Sequence, residues 1–222
     1  MSSYVIPVRT LVTHLVLLLL GTALLQAQQP VSTVAFEQTF PRSDPAHYLI
    51  SIASDCHASY ESNGKLTPES DDDNSFHLEF IASPATCAKV FDLAKQSHYF
   101  EKEIDSKKKN LASTGIKVLS YKDAQKSTRA TYNYSTVPSV QELTATFQGL
   151  GTTLEFGRRL EYDHHYQKLA LDDEMKRMQE SETSRGLQDV SAIEAILQQI
   201  VDDPSVIQVV RARAQRLLAA AK

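Results

Sequence analysis

The chain has 222 residues, 42% apolar and 23% charged, with a formal net charge of −4 and no tryptophan. That length suits one large or two small domains with a real core. Mild acidity excludes broad nucleic-acid binding, which needs a strongly basic surface, and charges of mixed sign describe a solvated exterior.

Leu11 to Leu25 is an uncharged, almost wholly apolar run, preceded by Arg9 and followed by Gln26-Ala27. This is the layout of a secretory signal peptide, and it is shorter than the ~20 residues of a membrane-spanning helix. Cleavage is expected after Ala27, with Ala23 as the second position and an uncleaved anchor as the alternative. Residues 1–27 are therefore read as the signal, and the mature protein as secreted or periplasmic, with no stable membrane insertion. That compartment is oxidising, so Cys56 and Cys87, the only cysteines, are expected to form a disulfide.

Residues 28–46 are polar and proline-bearing and read as a linker, or as a loosely attached strand at Thr33 to Phe36. Tyr48 to Ala53 alternates as a strand does. Ala58 to Glu61 and Lys65 to Thr67 flank Asn63-Gly64, a pair suited to a tight hairpin turn. The acidic stretch Pro68 to Asn74 reads as a loop. In Ser75 to Ile81, Phe76, Leu78 and Phe80 face one way, His77 and Glu79 the other.

Ser83 as cap and Pro84 in the first turn open a helix whose Cys87, Val90, Phe91 and Ala94 share a face. Tyr99 and Phe100 close that layer, and Glu101 to Asn110 is a charged connector. Ile116 to Tyr121 and Thr128 to Tyr134 read as two strands joined by a hairpin loop. From Pro138 the pattern is helical, with a Ser139–Glu142 capping box and a stripe of Val140, Leu143, Phe147, Leu150 and Leu154. Gly149, Gly151 and Gly157 suggest a bend there. A further segment runs from Leu160 to Glu182, and Ser184 to Gln188 is a break.

The tail reads as a helical pair. Ser191–Glu194 boxes the first helix, Asp203-Pro204 ends it and starts the second, and Val206, Val209, Val210 and Leu217 point inward. The fold class is α+β: a small antiparallel sheet of four or five strands, helices on one face, then a C-terminal helical segment. The expected divisions are 47–158 for this domain, 159–185 for a helical extension and 186–222 for the tail pair.

Glu161 and His164 lie one turn apart and offer two metal ligands, but zinc takes three or four and di-iron bundles need a second such unit. The adjacent His165 points about 100° away on a helix. Asp71, Asp72, Asp73 and Asn74 offer oxygens to calcium without the EF-hand spacing. Asn133-Tyr134-Ser135 fits the N-glycosylation pattern. There is no Gly-x-Ser-x-Gly elbow, phosphate-binding loop or His-Glu-x-x-His, so no catalytic residue and no cofactor is assigned.

The run Thr153-Leu-Glu-Phe-Gly-Arg-Arg-Leu-Glu-Tyr162, followed by His165-Tyr-Gln-Lys-Leu-Ala-Leu-Asp172, resembles segments of uncharacterised exported bacterial proteins. The preceding strand–helix–strand region is similar to small α+β domains in such proteins, and the resemblance spans Tyr48 to about Gln179. It implies a bacterial envelope or secreted location and transfers no site residue. The expected function is a non-catalytic interaction module with a protein partner in the cell envelope. The alternatives are a metal-assisted hydrolase using Glu161 and His164, and an assembly or stress factor acting through its C-terminal helices.

Overall fold

The computed structural model describes residues 31–66 and 75–220. The apolar run at Leu11 to Leu25, both cleavage positions and the acidic Asp71–Asn74 group lie outside the described residues. The architecture is α+β: one six-stranded antiparallel sheet and, among the described residues, five α-helices.

The strands are β1 (Thr33–Thr39), β2 (His47–Ala53), β3 (His57–Ser62), β4 (Phe76–Ile81), β5 (Ile116–Lys122) and β6 (Ser127–Tyr132), in the order β4-β3-β2-β1-β5-β6. The stretch read as a linker or loose strand thus supplies an interior strand, paired to β2 on one side and β5 on the other. Only Val34 and Phe36 of β1 are fully buried, which is why so interior an element carries so weak an apolar signature.

Alternation puts every second residue on one face of the sheet. On that face the register stacks two apolar rows. One is Phe80, Ala58, Ile52, Val34, Tyr121 and Thr128, and the next is Leu78, Tyr60, Ile50, Phe36, Leu119 and Ala130. A third row, at the end of the sheet, changes character: Phe76, Ser62, Tyr48, Gln38, Lys117 and Tyr132. The opposite face is mostly polar, with Arg129 bonded to Glu37 at 2.9 Å and His77 to Glu79 at 2.8 Å, and carries Leu49, Ile81, Ile116 and Val118 among these groups.

The predicted hairpin at Asn63-Gly64 does not form. β3 ends at Ser62 and pairs instead with β2 and β4. Asn63 Oδ1 accepts from the His47 amide at 2.8 Å, holding the start of β2. Gly64 has no left-handed φ; a Cβ there would lie 2.6 Å from the Glu155 carboxylate. The glycine serves a close approach rather than a turn.

Helix α1 (Pro84–Gln96) starts as expected, with Ser83 Oγ accepting from the Thr86 amide. Cys87 on α1 is bonded to Cys56 at the β2–β3 corner, with Cα atoms 5.6 Å apart. Helix α2 (Pro138–Tyr166) runs 29 residues without a break, lays its predicted stripe on the sheet and stacks Phe147 on Phe36 at 5.4 Å. The helix continues through the three glycines, which admit close neighbours. A Cβ on Gly157 would sit 2.4 Å from the Ile193 side chain, and one on Gly149 would sit 2.7 Å from Gln188. Gly157→Leu is therefore expected to lose stability by about 1–3 kcal/mol through overpacking, despite its better helix propensity. Urea unfolding of the whole chain checks this; an unchanged midpoint would contradict it.

Neither capping box forms. Pro138 occupies the first turn, so Ser139 is already helical; its hydroxyl accepts from Ser97 at 2.8 Å, and Glu142 pairs with Lys89. Ser191 sits in a 3-10 turn (Val190–Ile193) and donates to Asp189. The segment from Leu160 to Glu182 is divided at Gln167–Ala170, and α3 runs Leu171–Thr183. Helices α4 (Glu194–Asp202) and α5 (Gln208–Ala220) form the tail. Asp203 accepts from the Ser205 amide in the intervening turn, so Pro204 lies outside α5. Val209 is exposed, because the inward face of α5 follows Val210, Ala214 and Leu217, continuing from Val206 in the turn before it. These side chains share one continuous core with Ile193, Leu160, Leu171, Met175 and Met178.

Candidate functional site

The polar end row of the sheet lies beneath α2, and two pockets open there. The first, about 390 Å³, is lined by Lys117, Tyr132, Asn133, Gln141 and Thr144 among others. The second, about 250 Å³, is lined by Asp44, Tyr48, Tyr60, Thr152, Glu155 and Arg159 among others. Gln148 lines both, so the pockets adjoin at its side chain. Gln148 Nε2 donates to Gln38 Oε1 at 2.8 Å, and the Tyr48 hydroxyl donates to the same oxygen at 3.3 Å.

Glu155 anchors the second pocket. It is 3% exposed, and its Oε1 accepts from Tyr60 at 2.7 Å and Ser62 at 2.5 Å. Its Oε2 has no hydrogen-bond partner among the described residues. The guanidinium groups of Arg158 and Arg159 stand 3.7 and 3.8 Å from that oxygen, too far to bond it. Arg158 instead donates to the Gly64 carbonyl at 2.8 Å and lies over the Phe76 ring. Arg159 donates through Nε to buried Glu174 at 2.6 Å. Burial, with the Glu155 charge beside it, raises the Tyr60 phenol well above its ordinary range.

Lys117 occupies the first pocket at an inward position of β5, where its neighbours in the pattern are Leu119 and Tyr121. It is 4% exposed. Its Nζ donates to the Thr114 hydroxyl at 2.8 Å, the Asn133 carbonyl at 3.0 Å and the Thr114 carbonyl at 3.3 Å. All three acceptors are neutral, and burial pushes the ammonium below the ordinary lysine range. Beside it the Tyr132 and Thr144 hydroxyls bond at 2.6 Å, and Gln141 Nε2 donates to the Ser135 carbonyl at 2.8 Å.

The structure does not bring the predicted metal candidates into this cleft. Glu161 is exposed on α2. His164 Nε2 bonds Asp203 at 2.9 Å, and Lys168 bonds the same carboxylate at 2.6 Å. The lysine, then Ser205, hold Asp203 far below the usual carboxylate range. These bonds fasten the end of α2 to the turn before α5. Among the described residues no group of three or more His, Cys, Asp or Glu is placed to hold a metal ion. Asn133 lies just past β6, and its Oδ1 accepts from the Thr114 amide. The tail helices spend their apolar faces on their own chain.

Between these regions, Asp163 is buried near Glu174. Burial, then the Glu174 charge, raise its carboxyl to about 6. A raised carboxylate value means the folded state binds the proton more tightly than the unfolded chain, so ionisation above pH 6 costs stability. Asp163→Asn is expected to stabilise the protein by about 1–3 kcal/mol at pH 8 and to make little difference below pH 4. Thermal or urea unfolding at both pH values checks this; an equal effect at the two would contradict it.

Glu155 and Lys117 were not singled out from the sequence. Lys117 left a mixed signal: Leu119 and Tyr121 place it on the inward face, while Ile116 and Val118 on either side make it look like an outward position. Glu155 left none, since its partners Tyr60 and Ser62 lie more than ninety residues away. No protein-family model matches the chain, and no curated protein matches it.

Proposed function

We propose that the chain is an exported, non-catalytic interaction module of the bacterial periplasm or exterior, and that it holds an extended peptide segment of a partner protein in the α2 cleft. The observation that carries this reading is the polar row Ser62, Tyr48, Gln38, Lys117 and Tyr132, which interrupts an otherwise apolar sheet face where the two pockets open. Within the chain these groups bond Glu155, Gln148, Thr114, Asn133 and Thr144, and at the pockets such bonds can be exchanged for those of a ligand. The side-chain amides of Gln38, Gln141 and Gln148 each carry a donor and an acceptor, as a peptide main chain does. From Gln141 to Glu155 the helix wall extends about 20 Å, room for about six extended residues. The Cys56–Cys87 disulfide supports an oxidising compartment. No helix of the described residues is long and apolar enough to cross a membrane.

Selection of random heptapeptides against the oxidised protein tests this. The expected result is a set of peptides whose amide shifts map to Thr114, Ser135, Gln141 and Gln148 and whose affinity falls at least tenfold in Gln148→Leu. Peptides that map to other faces, or that are cleaved during the titration, would overturn the reading.

A further inference from the structure

The first pocket carries one formal charge. Its lining is made of hydroxyls, amides and aromatic or small side chains around Lys117, and no carboxylate is among them. Lys117 therefore sits as a buried cation whose hydrogen bonds are filled by neutral oxygens and whose charge is opposed by no lining residue. Buried charges are ordinarily paired, because an uncompensated one is expensive to desolvate. The second pocket differs: its lining holds Asp44 and Glu155 with Arg159. The two ends of the cleft are thus of opposite character.

We propose that the Lys117 pocket is a carboxylate-binding subsite, which takes the acidic group of the ligand and so fixes the direction in which a peptide lies. The proposal rests on the peptide reading for its ligand, but not for its chemistry. Of the three Lys117 bonds, that to the Thr114 carbonyl is the longest at 3.3 Å and is the one an entering carboxylate would replace. Gln148 lines the same pocket, and its side-chain amide has a second N–H beyond the bond to Gln38 that can donate to the second oxygen. No covalent bond is made or broken; the ammonium gives up a neutral carbonyl acceptor and gains a carboxylate one. A peptide supplies this group as its free C-terminus or as an aspartate or glutamate side chain.

The experiment uses the full oxidised chain and three forms of one selected heptapeptide: free acid, C-terminal amide, and amide with an internal glutamate. Dissociation constants and the shifts of the Thr114 and Asn133 amides are read by NMR titration. The expected result is at least tenfold tighter binding of one acidic form than of the amide. The form that wins names the source. Lys117→Met should abolish that preference and Lys117→Arg should keep part of it, with the thermal midpoint of each confirming a folded protein. Acid and amide forms binding equally would overturn the subsite while leaving the peptide reading intact. If no peptide binds, sodium acetate is the remaining probe. A saturable shift at Thr114 and Asn133, lost in Lys117→Met, would keep the subsite and remove the peptide reading. No such shift would remove both.

Discussion

Glu155→Ala is expected to destabilise the protein by about 3–5 kcal/mol, the range for removing one partner of a buried charged group. Glu155 holds two hydroxyls, from fully buried Tyr60 and from Ser62 on neighbouring positions of β3. Alanine strands both donors and leaves the guanidinium of Arg158, itself 7% exposed, without a nearby counter-charge. Arg158 would retain only the Gly64 carbonyl and the Phe76 ring. Glu155→Gln should cost much less, since its carbonyl oxygen still accepts from both hydroxyls. Tyr60→Phe alone removes one donor and should cost about 1 kcal/mol. The combination Glu155→Ala with Tyr60→Phe should therefore be less than additive, because the phenylalanine has no hydroxyl left to strand. Urea unfolding of the four proteins in one buffer gives the cycle. An alanine variant within 1 kcal/mol of wild type would show that the carboxylate is already solvated in the folded state and would remove its role as anchor.

The same residues explain where sequence reasoning works on this chain. Periodicity found β2, β4, β5, β6 and α1, because each shows the sheet or its neighbour a regular apolar face. It undervalued β1, whose Gln38 is turned inward to join the polar row and so does not look like a core position. Asn63-Gly64 has the composition of a turn, but its glycine is explained by a carboxylate from a helix about ninety residues on. The two capping boxes failed for a local reason: Pro138 claims the helix start ahead of Ser139, and a 3-10 turn precedes Glu194. The cleft itself is a product of register. Ser62, Tyr48, Gln38, Lys117 and Tyr132 come from five strands, and nothing short of the pairing shows that they stand in one row. Helical clusters such as Glu161 and His164 are easy to see in a sequence because they are local, and here that visibility pointed away from the cleft.

Breaking the Cys56–Cys87 bond is expected to cost about 3–4 kcal/mol, since the half-cystines stand 31 residues apart and closing such a loop restricts the unfolded chain. The loop it closes contains β3 and β4, the outer strands on one side of the sheet, so the loss should be felt there first. Cys87 packs in the core beside Val90 and Ala94, whereas Cys56 sits at a corner with positive φ. Cys56→Ser should therefore report mainly the lost cross-link, while Cys87→Ser also places a hydroxyl in the core and should cost more. Hydrogen exchange should rise in β3 and β4 in both variants, with β5 and β6 much less affected. Equal urea midpoints for wild type and Cys56→Ser, under oxidising conditions, would mean that the bond does not form in solution. The support the disulfide gives to an oxidising compartment would then fall with it, leaving only the apolar run at Leu11 to Leu25.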